Sequence, residues 1–478
     1  MRASIQSGLL LAASLSTSVV EAERVLGAYI YARHGDRTAK VLGNTQLTNL
    51  GYREVFDAGS FYHDRYVAAG SDKQIEGISP VIVNPAQISA SSPADAVLQN
   101  SATGFLQGVY PPAGSSANQT LANGTTVDSP LQGYQLIQIA ATSSSNSNEG
   151  QTWLQGSSEC NKATVSSNNY YVSTAYETML QSTKSFYQSL SPLINSTFSP
   201  SLMSFKNAYS IFDYLNVGRI HNSSAEASAN QATYDQLLQL ANNQQYNLAY
   251  NSSDPVRAIA GAVLAGEILS SFNETIASGG KSKLAISFGS YGTFLSFFGL
   301  VQLPAASVDF TGLPDYASSM AFELVTNATG TGMPSQDELS VRFMFHNGTL
   351  TEGAQPTVWP LFGQTKDLLS WSDFKSGLEK VAVSSDAQWC DLCGNTDGKC
   401  ASSTTSSAQA TATSSPSSSS SHGMSRAVAG VVGAMVTLAV ILGLEALFFL
   451  VGGFRISKRN KNRAEVITVN DTASVEKK

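Results

Sequence analysis

The sequence predicts an α/β fold, a mixed sheet flanked by helices with a mostly helical cap inserted into it. Three observations carry that prediction. Residues 25–32 form an uncharged, β-prone apolar run, as expected of a strand buried on both faces. Shorter strand-like runs at residues 82–88, 284–286 and 340–345 are separated by segments with apolar residues at three- and four-residue spacing. Residues 113–280 are rich in Ser, Asn and Gln, with helical spacing over residues 170–190, 232–248 and 255–276.

Each element has its own local signal. A helix is expected near residues 47–67, and strand, turn and helix over residues 89–112. Asp254-Pro255 supplies an N-cap followed by Pro at the first helical position. A glycine-rich turn after residue 286 leads to a helix at residues 294–300, and residues 314–325 enter the core as helix or strand.

The chain has 478 residues, 42% of them hydrophobic, and a formal net charge of −7. That length can bury a large core in one big domain or two. The acidic balance argues against nucleic acid as a partner.

Residues 1–22 combine Arg2, an apolar stretch and a small-residue cleavage pattern, which reads as a secretory signal peptide. N-x-S/T acceptor sequons at Asn118, Asn123, Asn195, Asn222, Asn251, Asn273, Asn327 and Asn347 fit a glycosylated lumenal domain over residues 23–400. In that compartment Cys160, Cys390, Cys393 and Cys400 should pair as disulfides. Three pairings are open; a short loop among the last three, with Cys160 tied to the remaining one, is favoured. Cys390-x-x-Cys393 alone also suits zinc or thiol redox chemistry, but no second ligand pair or nearby His supports it.

Beyond Cys400 the character changes. Residues 401–426 are mostly Ser, Thr and Ala and read as a flexible stalk. Residues 427–454 are apolar except for Thr437 and Glu445, long enough for a transmembrane helix. The basic segment that begins at Arg455 places residues 455–478 in the cytosol by the positive-inside rule. A glycolipid-anchor signal should end in its hydrophobic tail, and this chain continues. The expectation is a single-pass type I protein of the cell membrane with an extracellular ectodomain.

The chemistry-bearing stretch is Tyr31-Ala32-Arg33-His34-Gly35-Asp36-Arg37-Thr38, at the end of the first strand. Two planar guanidiniums suit phosphate oxygens. A neutral imidazole between them is a candidate nucleophile, since phosphohistidine is a workable covalent intermediate. Gly35 is expected to let the backbone approach whatever His34 faces. Arg33 and Arg37 are the candidate phosphate-binding residues and His34 the candidate catalytic one; no metal or cofactor is called for. His221, beside a sequon, reads as a solvated loop residue, and His346 as exposed.

Arg33-His34-Gly35-Asp36-Arg37-Thr38 resembles the RHGxRxP signature of the histidine acid phosphatases, the branch of the histidine phosphatases that includes phytases, with Ala39 where that pattern usually has Pro. Leu47-Thr48-Asn49-Leu50-Gly51-Tyr52-Arg53 is similar to the family's LTxxGxxQ segment. Pro314-Asp315-Tyr316-Ala317-Ser318 to Phe322-Glu323-Leu324 resembles its PYAS…FEL stretch, and Arg342 to Asn347 its last core strand. Glu323 reads as structural.

The resemblance also implies residues that are missing. The family's third phosphate-binding Arg has no counterpart in Ser89-Ala90-Ser91-Ser92-Pro93, and no Lys or Arg lies between Gln74 and Asn161. The family's phosphate-binding His and general-acid Asp end a strand that here reads Ser287-Phe288-Gly289-Ser290-Tyr291, with Ser287-Phe288 as the matching pair. General acid catalysis is worth about 10²–10⁴-fold. Two function classes therefore follow: a phosphate-binding, phosphatase-like protein with weak or no phosphomonoesterase turnover, or an active surface acid phosphatase working through phospho-His34.

Overall fold

The apolar run after the expected signal peptide is the central strand, β1 (Arg24–Arg33), and its two faces are chemically different. Ala28, Ile30 and Ala32 face one hydrophobic cluster, and Tyr29 and Tyr31 face another. A register irregularity between Val25 and Gly27 shifts the alternation at the strand's start. The computed structural model describes residues 23–142, 159–222, 230–351, 353–397 and 400–401. The expected signal peptide, transmembrane segment and cytosolic tail, and all but the first residue of the stalk, lie outside them.

The other main strands of the same sheet are β2 (Ile88–Pro93), β3 (Ile139–Thr142), β4 (Leu284–Gly289), β5 (Ser319–Thr326), β6 (Leu339–His346) and β7 (Leu368–Ser370). They lie in the order β7-β6-β5-β1-β4-β2-β3, with Thr357–Val358 paired to β6. β1 pairs parallel with β4 and antiparallel with β5, so the sheet is mixed, as expected.

Helices α1 (Asn49–Tyr62) and α2 (Ala96–Val109) cover the small-residue face of β1. Thr48 caps α1 by accepting from Gly51 N, and Asp95 caps α2 by accepting from Leu98 N. On the aromatic face lie α5 (Ile259–Ala277) and α6 (Tyr291–Leu300). The cap, which lies in sequence between α2 and α5, includes α3 (Ala208–His221) and α4 (Gln231–Ala249), with its own core of Tyr170, Tyr187, Phe205, Ile211 and Leu237.

Several expectations shift. Residues 82–88 are not a strand: Pro80 and Asn84-Pro85 impose turn geometry, Val81 and Ile82 are exposed, and β2 begins only at Ile88. The helical spacing over residues 170–190 resolves into a 3-10 turn and two short helices, because Ser173 caps a new helix by accepting from Tyr176 N and Thr183 ends it. Pro255 opens a 3-10 turn in which Asp254 makes no side-chain cap, and the α-helix starts at Ile259. Residues 113–280 are not all cap: β3 extends the sheet beyond β2, and α5 packs on β1.

Among the described residues only Pro255–Ala277 is long and apolar enough to cross a membrane, and it is largely buried as a core helix. The disulfides are Cys160–Cys393 and Cys390–Cys400, the pattern favoured from sequence. Glu323 is buried on β5 and accepts from Arg65, Tyr66 and Arg342, a structural network.

Glycines set the spacing of α1 and α2. A Cβ at Gly59 would sit 2.0 Å from the Phe105 carbonyl, and one at Gly108 2.2 Å from that of Phe56. Gly108→Ala should therefore cost about 1–3 kcal/mol through overpacking, read as a lower midpoint in denaturant unfolding. An unchanged midpoint would show that the two helices are not held at this distance.

Candidate phosphate site

The parallel pairing of β1 with β4 fixes where the site forms. Arg33 is level with Gly289, so both strands end together. The chain after β1 carries His34 to Lys40, and the chain after β4 turns at Ser290 into α6. Ligand sites of α/β sheets commonly lie beyond such carboxyl ends.

Arg33, His34 and Arg37 come together here around one ring, that of Tyr316. Its centroid lies 5.6 Å from the His34 ring, 4.8 Å from the Arg33 guanidinium and 5.8 Å from that of Arg37. Tyr316 is held by a strained loop in which Ala317 has φ +57° and gives its N–H to the His34 carbonyl at 3.0 Å. Arg33 also donates to the Pro314 carbonyl and faces Tyr291 at 5.6 Å.

His34 Nδ1 lies 2.8 Å from the Gly35 carbonyl. A carbonyl only accepts, so Nδ1 carries the proton and Nε2 the lone pair, the tautomer a nucleophile needs. Gly35 has a different role from the expected one. A Cβ there would lie 2.1 Å from the Gly51 carbonyl, so glycine lets the loop pack on the first turn of α1.

The resting site is closed. His34 and Arg37 are 0% exposed and Arg33 6%. Both terminal nitrogens of Arg37 are occupied by a carboxylate from the cap: Nη2 donates to Asp213 Oδ1 at 2.9 Å and Nη1 to Oδ2 at 3.3 Å. Nη2 also donates to Tyr209 Oη at 3.1 Å, and Asp213 accepts from Lys40 N at 2.9 Å. Burial opposes the Arg37 charge, but the Tyr209 and Asp213 oxygens outweigh it and hold its pKa well above the ordinary value.

The same helix contributes His221, which is not a loop residue: it ends α3, and its Nε2 is 2.6 Å from the buried Asp36 Oδ2. His346 is half-buried rather than exposed, with Nδ1 3.1 Å from the Gly348 carbonyl.

The segment that replaces the His-Asp pair needs a correction. Phe288 is fully buried against Phe105, and Ser287 Oγ is bonded to Tyr29 Oη at 3.0 Å and to Ser91 Oγ at 2.9 Å. Neither side chain is in the site. Because β4 runs on to Gly289, the residues after the strand end are Ser290 and Tyr291, and Tyr291 meets Arg33.

Sequence reasoning missed Glu54, which stands at the Gln position of the LTxxGxxQ pattern counted from Leu47. Glu54 Oε2 accepts from Asp36 N at 2.7 Å. Burial, together with the Asp36 and Asp315 charges, pushes its carboxyl up to about 7 against the pull of the Asp36 N–H and Arg33. Its signal was position in a recognised segment. Asp213 and Tyr209, far away in the cap, carried no signal. Among the described residues no group of His, Cys, Asp and Glu is arranged to hold a metal ion.

Comparisons with known proteins place the fold and the family. Residues 5–346 match the family model of the histidine phosphatase superfamily (branch 2). No curated protein sequence matches the chain. Similar solved structures include the Hafnia alvei phytase in complex with tartrate, at 13% identity and TM-score 0.51, covering 78% of this chain and 98% of that one. The Klebsiella sp ASR1 phytase is 14% identical with TM-score 0.50, covering 76% and 95%. The Citrobacter braakii phytase is 12% identical with TM-score 0.50, covering 78% and 99%. Such identities establish likeness of fold. With a family model over residues 5–346, which include the RHG turn and the cap, the chain belongs to the histidine phosphatase superfamily, branch 2.

Proposed function

We propose that this protein is a membrane-anchored, extracellular phosphate-binding member of its family with weak or no phosphomonoesterase turnover. Arg33 and Arg37 would bind the anion beside His34. The observation that carries the reading is the buried Asp213 carboxylate bound by both terminal nitrogens of Arg37. A carboxylate there satisfies the guanidinium as a phosphate would, so an incoming phosphate must displace it. The Hafnia alvei phytase in complex with myo-inositol hexakis sulphate, TM-score 0.50, supports an anionic ligand on a fold of this type.

Asp213→Asn removes the competing charge while keeping the side chain's size. Phosphate affinity, by calorimetry, should rise about tenfold, equivalent to about 1.4 kcal/mol. Unchanged or weaker binding would sink the displacement reading.

Chemistry separates binding from turnover. An activated aryl phosphate should label His34 slowly and an alkyl phosphate barely react, because its alkoxide needs an acid. Ser290→His with Tyr291→Asp should raise the alkyl rate more than the aryl rate. His34→Ala is the control, and equal efficiency on both substrates in the natural protein would overturn the low-turnover reading.

Active turnover is a second reading, favoured by Glu54. A carboxyl pushed up to about 7 is protonated in acid and could serve as proton donor. Alkyl turnover should then be present at pH 5, fall as pH rises through about 7, and drop about 10²-fold or more in Glu54→Gln. A flat pH profile, or an unaffected variant, excludes it.

For the anchoring, protease added to intact cells should remove the glycosylated ectodomain and spare residues 455–478. The reverse pattern would invert the proposed orientation.

A further inference from the structure

A cavity of about 220 Å³ is lined in part by the chain between Asp309 and Pro314. Its walls include Phe310, Phe345 and Trp359, with Asp309, His346 and Asn347 as polar members. Phe310 meets Trp359 at 5.0 Å and Phe345 at 5.5 Å between ring centroids. It is smaller than the about 300–1,000 Å³ of drug-sized sites, closer to the size of one sugar ring.

Asn347 is itself an acceptor residue, in Phe345-His346-Asn347-Gly348-Thr349. Phe345, at the end of β6, and Asn347, just beyond it, both line this cavity. Gly348 has φ +88°, which turns the chain there. Asn347 Oδ1 accepts from Asp315 N at 2.8 Å and from Ser318 Oγ at 3.1 Å. A backbone N–H can only donate, so the oxygen end of the amide is fixed inward and Nδ2, the atom that is glycosylated, is the other end.

Two other acceptor residues differ. Asn118 donates its Nδ2 to Asp128 at 2.6 Å. Asn273 lines a cavity with no aromatic side chain in its wall.

We propose that Asn347 carries an N-linked glycan whose first N-acetylglucosamine seats in the Phe345–Phe310–Trp359 cavity and stabilises the fold. Pyranose C–H bonds lie on aromatic faces, which carry partial negative charge. Asp309 and His346 can pair with ring hydroxyls. The sugar would thereby brace the 314–318 loop that places Tyr316 on His34.

The test uses the full chain made in a eukaryotic secretory host. Mass spectrometry of the Asn347 peptide should show it modified. Trimming with an endoglycosidase that leaves one N-acetylglucosamine should keep the melting temperature. Thr349→Ala, which removes the sequon and leaves the Asn347 hydrogen bonds, should lower it by about 1–2 °C, as expected for roughly 1 kcal/mol in a domain of this size. Phe345→Leu and Trp359→Leu keep apolar volume without the rings. In either background the Thr349→Ala loss should shrink by at least about half, a coupling between neighbours. An unmodified Asn347, a Thr349→Ala protein as stable as the parent, or a loss unchanged in both Leu backgrounds would each overturn the proposal.

Discussion

The pair between Arg37 and Asp213 joins the two parts of the molecule on which the site depends. Arg37 belongs to the turn after the central strand and Asp213 to a cap helix, and both are buried. Two such charges stay out of water only because each satisfies the other, with Tyr209 and the Lys40 N–H taking up further valences. Removing either partner alone strands a buried charge, which typically costs about 3–5 kcal/mol. The cap is therefore fixed to the anion site by the group an anion would need.

That constraint explains the closed state of the site. α3 contributes Tyr209 and Asp213 to Arg37 and His221 to Asp36, so one helix bears on three contacts of a single turn. From below, Thr48 donates to Asp36 and Gly51 packs on Gly35. From the side, the strained Ala317 ties its loop to the His34 carbonyl and lays Tyr316 on the imidazole. The Gly35 carbonyl sets the tautomer of His34, which is fully buried beneath these contacts.

Much of the architecture was legible because it rests on local rules. The buried run of β1, the starts of β4 and β6 and the long helix α4 follow from hydrophobic period. The RHG turn follows from residue chemistry. Strand errors arose where turn chemistry outranked apolar content, as at Asn84-Pro85, and helix errors where an internal Ser or Thr offered a cap, as at Ser173. The Ser287-Phe288 assignment failed by three residues because sequence alone does not give the register of β1 against β4.

By itself the sequence determined the sheet-and-cap class, the placement of Arg33, His34 and Arg37 in one turn, and the absence of any base-charged residue where a third phosphate-binding Arg would stand. Those are properties of neighbouring residues, fixed by the chain's own covalent order. Only the tertiary structure decided that Arg37 is already bound to Asp213, 176 residues away. It likewise decided that Ser290 and Tyr291 follow the strand end beside Arg33, that Glu54 lies under Asp36, and that His221 reaches Asp36. Such contacts join elements distant in sequence, and their energy comes from burial and charge pairing that exist only once the cap has folded onto the sheet.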